Sequence, residues 1–273
     1  MKRSAAYPYL AWLAVFTIIP LILVLYYAFT SVSDGAVKFS PDNFVRAFEP
    51  MYLIVMWRSF VLALAATAIC FLIGYPAAYI LARKVGEKKS TLLFLLLVPM
   101  WMNFLLRTYS WLTILERNGI INNALFALGL PKMDLLYTRE AVVLGMVYNF
   151  LSFMILPIYT ALSKIDASLI EAAQDLGAGK MNVFFRVIFP LSLPGVVSGV
   201  TMVFLPAITT FVIPNLLGGG KDALIGSLIE QQFLRVGDWR FGSAVSVVIM
   251  GLIVIAMSLF YAVDSDEGEG GLF

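Results

Sequence analysis

Histidine is absent from this chain of 273 residues, and cysteine occurs only once, at Cys70. Without histidine, catalysis by an imidazole base and metal binding through imidazole are excluded. A single cysteine can form neither an internal disulfide nor a four-cysteine zinc site. Charged residues are also scarce, at 13% of the chain, and the formal net charge of +2 gives no indication of nucleic-acid binding. We therefore expect no metal site and no nucleic-acid partner.

Apolar residues dominate instead: they make up 61% of the chain, and the mean hydropathy is +0.90. Soluble domains are far more polar, and several apolar runs are long enough to cross a bilayer. The predicted fold class is an all-α integral membrane protein with six transmembrane helices. They cover residues of about 8–30, 57–82, 91–115, 141–163, 191–217 and 241–263. The first run is too long for the core of a signal peptide, so we expect it to be retained.

The distribution of basic residues predicts the orientation of these helices. The short connection between the second and third runs carries four of them: Arg83, Lys84, Lys88 and Lys89. Short basic loops of this kind stay in the cytoplasm. Six crossings then put both termini on the cytoplasmic side of the membrane, together with residues 164–190. Lys2 and Arg3 at the N-terminus agree with this orientation.

The hydropathy pattern divides the chain into three parts. Residues 1–56 are expected to hold the first transmembrane helix and an outer loop. Residues 57–263 hold the other five helices. Residues 264–273 are rich in acidic residues and glycine, and we expect them to be a disordered tail.

The connection between the fourth and fifth runs is predicted to contain a short helix. Residues 171–176 are mostly good helix formers, Asp166 or Ser168 can cap their start, and Gly177 can end the helix. One edge of this helix is apolar: Leu169, Ala172, Ala173 and Leu176. An amphipathic helix that rests on lipid headgroups would show the same pattern.

The same connection resembles the EAA loop of ABC importer permeases. That loop has the pattern E-A-A, three residues, G, nine residues, I, one residue, L-P. The matching residues are Glu171, Ala172, Ala173, Gly177, Val187, Phe189 and Pro190, with valine and phenylalanine in place of isoleucine and leucine. The resemblance implies the type I ABC importer transmembrane fold, in which residues of about 166–182 form a cytoplasmic coupling helix. It also implies that this helix docks on an ATPase subunit through Glu171, Ala172, Ala173 and Gly177.

A further resemblance, over about residues 10–262, is to the spermidine/putrescine permeases of the first type. The residues that carry it are Pro99 to Asn103, Arg107, Tyr109, Leu205 to Ala207, Leu217 to Gly219, Leu224 to Gly226 and Asp238 to Gly242. It implies a permease subunit of the bacterial inner membrane that imports polyamines by alternating access. Permeases for other small organic cations or for organic anions share these features.

The same resemblance implies a set of partners. They are membrane lipid, a second permease that completes a heterodimer, an ATPase homodimer, and an extracytoplasmic polyamine-binding protein. ATP and Mg would bind to the ATPase subunits, so we expect no cofactor on this chain and no enzymatic activity of its own. Gly177 to Lys180 resembles the end of a phosphate-binding loop, but the rest of that motif is missing from the sequence.

A polyamine is a flexible polycation, so its pathway needs carboxylates and aromatic faces. Six residues are candidates for that pathway: Trp101, Asn103, Tyr109, Glu116, Tyr148 and Asn149. Glu230 or Asp238 could lie near its entrance. For each aromatic residue, packing within the bundle or anchoring at the membrane interface is the simpler role. For the outer carboxylates, a solvated face or contact with the binding protein is an equally good explanation.

Two other residues inside the spans are predicted to be structural. Arg107 would share a helix face with Asn103, and because a bare arginine repels a cationic solute, we expect it to form an ion pair. Pro206 is the deepest of the prolines and is expected to mark a kink beside the pathway. Gly195 and Gly199 form a G-x-x-x-G pair, whose spacing lets another helix approach closely.

Two competing classes of function remain. An ion-coupled secondary transporter would need carboxylates buried within spans, and this sequence has essentially none away from the span ends. A polytopic membrane enzyme would need a clustered set of polar catalytic residues, which the sequence does not indicate.

Overall fold

The computed structural model describes residues 12–33, 36–83, 89–220 and 223–269. The helices are α1 (Ala14–Ala28), α2 (Asp42–Ala47), α3 (Pro50–Arg83), α4 (Lys89–Trp101), α5 (Phe104–Leu115), α6 (Ile120–Ala127), α7 (Arg139–Lys164), α8 (Ala167–Asp175), α9 (Lys180–Thr209), α10 (Val212–Leu217), α11 (Ile225–Gln231) and α12 (Trp239–Glu269). Strands β1 (Thr30–Ser33) and β2 (Ala36–Phe39) form an antiparallel hairpin between α1 and α2. Part of the predicted basic signal, at Lys2, Arg3, Lys84 and Lys88, lies outside the described residues.

Four helices are long and apolar enough to cross a membrane: α3, α7, α9, and α12 as far as Ser258. The segments Thr91–Trp101 and Phe104–Ala127 meet the same criterion together, although they are bent by 90°. Helix α1 is shorter than the ~20 residues that a span needs, and the predicted first span begins before the described residues. The described part of the chain therefore contains four straight spans, or five when the bent pair is counted as one.

The predicted third span, residues 91–115, is broken rather than straight. Asn103 causes the break, because its Oδ1 accepts hydrogen bonds from the backbone amides of Leu105 at 2.8 Å and Leu106 at 3.3 Å. This is the bonding of an N-cap residue, and it starts a new helix in a new direction. Pro99 weakens the preceding turn, since it has no amide hydrogen to donate.

The predicted fifth span, residues 191–217, is also shifted. Helix α9 begins at Lys180 and ends at Thr209, after which the chain breaks and the short helix α10 follows. Pro206 lies in the last turn of α9, so it stands at the end of a helix rather than at a kink within one. Near its start, α9 contains a π-helical turn at Phe184–Ile188.

The core of the bundle lies between α3, α7 and α9. The predicted close approach at Gly195 and Gly199 is confirmed. A Cβ atom at Gly195 would lie 2.5 Å from Cβ of Ala161, and one at Gly199 would lie 2.9 Å from Sδ of Met154. Because both contacts are with α7, the absence of side chains at these two positions lets α7 and α9 pack in direct contact.

The segment after residue 222, whose apolar residues at helical spacing predict an interfacial helix on the surface, is instead buried in the protein. An interfacial helix on the surface would leave its apolar face to lipid, but Leu224 and Ile225 are fully buried and Leu228 nearly so. The amide of Ile225 also donates to Oγ of Ser59 at 2.7 Å, inside the protein. Helix α12 continues to Glu269, so the first part of the expected disordered tail is helical, as extension of an existing helix costs far less than its nucleation.

Candidate coupling and transport surfaces

Helix α8 occupies the position of the predicted coupling helix, between two long helices, but it is shorter than residues 166–182. Asp166 is the residue that caps it, since its Oδ1 accepts from the amide of Ser168 at 3.0 Å. That hydrogen bond lowers the pKa of the Asp166 carboxyl below its ordinary value. The cap shows why the chain turns into a helix directly after α7 ends.

The end of α8 is set by Gly177, which has a φ of +84°. This left-handed conformation is accessible to glycine at little cost. It lets the amide of Ala178 donate back to the carbonyl of Ala173 at 3.1 Å, which closes the helix. Gly179 then precedes the first residue of α9. The predicted stop at Gly177 is therefore confirmed, and the helix ends before residue 182.

All residues of α8 are described, and none of them is buried. Glu171 and Ala172 are exposed, Ala173 is partly buried, and Leu176 is 89% exposed. An exposed leucine beside other apolar residues is a feature that interaction surfaces often share. A cleft of about 370 Å³ lies between α8 and the start of α9. Its lining residues are Ala173, Leu176, Gly177, Ala178, Asn182, Val183, Arg186 and Val187.

Helix α5 has two different faces. The exposed face carries apolar, aromatic, hydroxyl and carboxylate groups: Leu105, Leu106, Tyr109, Ser110, Thr113 and, at the C-cap, Glu116. Tyr148 of α7 lies next to this helix, because its ring is 5.4 Å from the ring of Trp111. Tyr109 and Glu116 thus share the exposed face of α5, whereas Tyr148 contacts the helix through Trp111, on a different side.

The other three predicted pathway residues are placed differently. Trp101 is 75% exposed but lies on the far side of the 90° bend, where its ring contacts Phe94. Asn103 is used as the helix cap described above. Asn149 is 2% exposed, and its Nδ2 donates to the carbonyl of Gly145 at 2.9 Å. It faces the interior of the bundle and does not contribute to the exposed face.

Arg107 is buried on the opposite side of α5, with 7% of its surface exposed. The expected ion pair is not formed within the part of the chain that the structure describes, where its Nε also has no hydrogen-bond partner. The expected common face with Asn103 is absent as well, because Asn103 precedes the helix. Arg107 is nevertheless the only basic residue of α5, and its burial keeps its charge away from the exposed face.

The two outer carboxylates are engaged with arginines. Glu230 lies 4.0 Å from Arg235, and Asp238 lies 2.8 Å from Arg46. Burial lowers the pKa of Arg46, but its hydrogen bonds to Asp238 and Tyr52 outweigh that effect and raise the value overall. Asp238 is therefore part of the protein's own structure, which argues against the expected role at the entrance of the pathway. No pattern in the sequence indicates its pairing with Arg46.

A large apolar groove lies beside α8. It has a volume of about 960 Å³ and is bounded by the end of α4, by α7 and by α9. Met100, Phe153, Pro157 and Met202 contribute to its wall, and Lys164 and Asp166 lie at the end next to α8. No group of three or more potential metal-ligating side chains occurs in the residues that the structure describes.

Comparison with known proteins gives consistent results along most of the chain. Residues 71–265 match the family described as the inner membrane component of binding-protein-dependent transport systems. The chain is 40% identical over 252 residues to the spermidine/putrescine transport system permease protein PotB of Salmonella typhimurium, covering 89% of this chain and 88% of that protein. PotB of Haemophilus influenzae is 40% identical over 257 residues, which cover 92% and 90% of the two chains.

The fold is also found among solved structures. A chain of a bacterial ABC transporter involved in the import of the acidic polysaccharide alginate matches 96% of this chain with 94% of its own length, at a TM-score of 0.77. The sequence identity is 18%, so this likeness concerns the fold alone. From the family match and the PotB relatives together, we conclude that this chain belongs to the inner membrane permease components of binding-protein-dependent transport systems.

Proposed function

We propose that this permease subunit forms one half of the translocation pathway of an ATP-driven polyamine importer, with spermidine or putrescine as the cargo. The observation that carries this proposal is the 40% identity to PotB proteins over nine-tenths of the chain. The alginate importer shares the fold at only 18% identity, so the fold by itself does not select the cargo.

The exposed face of α5 is the proposed wall of the pathway. An ammonium group of a polyamine would be attracted to the ring of Tyr109 and to the carboxylate of Glu116, while Thr113 offers a hydroxyl oxygen. Arg107 would not repel this cargo, because it is buried on the other side of the helix. The carboxylate on this face favours a cation over an organic anion, which is the alternative cargo, although the exposed Arg117 directly follows Glu116.

The proposed link to ATP hydrolysis is α8. Its exposed surface, with Glu171, Ala172 and Leu176, would dock in a groove on an ATPase subunit, which would bind ATP and Mg. In this mechanism the closing of the ATPase dimer moves α8 and opens the pathway toward the binding protein, and hydrolysis resets it. Glu171, Ala172, Ala173 and Gly177 would be the residues through which the force enters this chain.

The remaining proposed contacts follow from the same mechanism. A second permease would cover the groove of about 960 Å³, whose apolar wall is otherwise exposed. An extracytoplasmic binding protein would deliver the cargo at the opposite side of the membrane from α8. Both termini of the chain would then lie in the cytoplasm.

Uptake measurements test the proposed cargo and pathway. The complete importer is reconstituted in proteoliposomes with its binding protein, and labelled spermidine uptake is followed with and without internal ATP. We expect ATP-dependent uptake that Glu116→Gln weakens through a higher KM, whereas Glu49→Gln, an exposed carboxylate far from α5 in the sequence, leaves it unchanged. Equal uptake by both variants would exclude the proposed wall, and uptake driven by an ion gradient without ATP would favour a secondary transporter.

A further inference from the structure

The end of helix α3 is bonded to the start of the coupling segment. Nη2 of Arg83, the last residue of α3, donates a hydrogen bond of 3.2 Å to the carbonyl of Ile165. Ile165 directly follows the last residue of α7 and immediately precedes Asp166, the cap of α8. This single contact therefore connects α3 to the point where α7 passes into α8.

A second connection joins α3 to the chain that follows α8. The ring of Phe184 lies in the π-helical turn of α9 and meets two rings of α3 edge-on. It is 5.9 Å from Tyr75, at an interplanar angle of 86°, and 5.7 Å from Tyr79, at 83°. Tyr75 and Tyr79 are one helical turn apart, so Phe184 contacts two successive turns of α3.

A buried hydrogen bond reinforces this second connection. The hydroxyl oxygens of Tyr75 and Ser192 are 2.9 Å apart, and Oγ of Ser192 also donates to the carbonyl of Phe189 at 2.8 Å. A serine has one hydroxyl hydrogen, so the hydroxyl of Tyr75 is the donor in the shared bond. Tyr75 is 6% exposed and Ser192 is fully buried, which means that water cannot replace this bond.

The link between α8 and α9, residues 177–179, is expected to be flexible. Gly177 and Gly179 flank Ala178 in the link to α9, and a Cβ atom at either glycine would meet nothing within 4 Å. A displacement of α8 could therefore be absorbed by this link instead of reaching the bundle. The contacts of α3 lie on both sides of the link, at Ile165 and at Phe184.

From this placement we infer that Arg83, Tyr75 and Ser192 are positioning residues that transmit the movement of α8 to α3, so that α3, α7 and α9 move as one unit. The inference rests on the proposed coupling function of α8. It goes beyond that function because it names α3 as the helix that receives the movement of α8, and it names the residues that connect the two. None of these residues touches the cargo or the ATPase in this scheme.

Transport stoichiometry tests the inference in the complete importer, with both permeases, the ATPase subunits and the binding protein in proteoliposomes. ATP hydrolysis and spermidine uptake are measured in the same vesicles. For Tyr75→Phe and Arg83→Met we expect normal co-purification of the ATPase subunits and near-normal hydrolysis. Uptake per ATP should fall about fivefold, the order that follows from the loss of one hydrogen bond.

Matched variants separate this role from a structural one. Tyr79→Phe keeps the ring against Phe184 and removes a hydroxyl that makes no hydrogen bond among the described residues, so it should keep the normal ratio. Arg83→Lys, which keeps a hydrogen-bond donor, should retain most of the normal uptake per ATP. Should Arg83→Met fail to assemble, Tyr75→Phe decides the question alone.

The inference is wrong if uptake per ATP stays normal in Tyr75→Phe, or if hydrolysis and uptake decline in proportion. Failure of the underlying function would look different. In that case Glu171→Lys would leave the ATPase subunits bound and uptake unchanged, or the wild-type importer would not take up spermidine at all.

Discussion

The carboxylate of Asp238 and the guanidinium of Arg46 lie 2.8 Å apart, although 192 positions of sequence separate them. The second carboxylate oxygen of Asp238 accepts from the amide of Phe241 at 3.1 Å, and the guanidinium of Arg46 lies 4.0 Å above the ring of Phe241. The pair thus joins the connection between α1 and α3 to the first turn of α12.

This pair gives a prediction on stability. Arg46→Met removes the ion pair and the contact with the ring, and we expect a loss of about 1 kcal/mol in the free energy of unfolding, because the pair is partly exposed. Arg235→Met is the matched control, since Arg235 is 4.0 Å from Glu230 and its side chain is 70% exposed. Thermal unfolding in detergent should show a lower Tm for the first variant only, and equal shifts would contradict the prediction.

The cap of α8 gives a prediction on pH. The pKa of Asp166 is lowered by the hydrogen bond from the amide of Ser168, so the cap stabilises α8 above the unfolded-state pKa of about 3.9. This contribution is lost as the pH falls through the lower pKa of the folded state. Hydrogen exchange of the α8 amides at pH 7 should be faster in Asp166→Ala than in Asp166→Asn, which keeps an acceptor oxygen. Identical exchange in the two variants would mean that the cap does not hold the helix.

Substitution by alanine should have different effects on uptake per ATP at the two glycines after α8. Gly177→Ala places a Cβ atom on a residue with a φ of +84°, at a cost of about 1 kcal/mol. Gly179 has a φ of −66°, which alanine adopts freely, and a Cβ atom at either position meets nothing within 4 Å. Gly177→Ala should therefore reduce uptake per ATP while Gly179→Ala does not. If the two variants behave alike, the conformation of Gly177 has no part in coupling.

The close contact between α7 and α9 predicts a further difference between two variants. In Gly195→Ala the new Cβ atom would lie 2.5 Å from Cβ of Ala161, so the helices must separate, at a cost of about 1–3 kcal/mol. Gly251→Ala in α12 meets nothing within 4 Å and should be neutral or slightly stabilising. Tm values in detergent measure both effects, and a neutral Gly195→Ala would show that the bundle can yield at this point.

The features that the sequence predicted well are local ones. The cap at Asp166 and the stop at Gly177 depend on hydrogen bonds between residues a few positions apart, which a single segment encodes. Asn103 shows the limit of that approach. In the sequence it continues an apolar helix, but its side chain bonds the amides that follow and ends the straight span.

Non-local relationships could not be predicted in the same way. The apolar face of Leu224, Ile225 and Leu228 is compatible with lipid or with protein, and only the fold determines that protein covers it. Arg107 was expected to need a charged partner, but the described chain buries it without one. The pairing of Arg46 with Asp238 depends on the path of the whole chain and leaves no pattern in either segment.

The right-angled break at Asn103 has a consequence for how the proposed wall of the pathway can move. Leu105 and Leu106 give their amide hydrogens to a side chain instead of the preceding turn, so the backbone ladder does not run from α4 into α5. A continuous helix would tilt along its whole length when one of its ends is displaced. Because the helix is broken, α4 can move while α5, which carries Tyr109 and Glu116, keeps its orientation toward the proposed pathway.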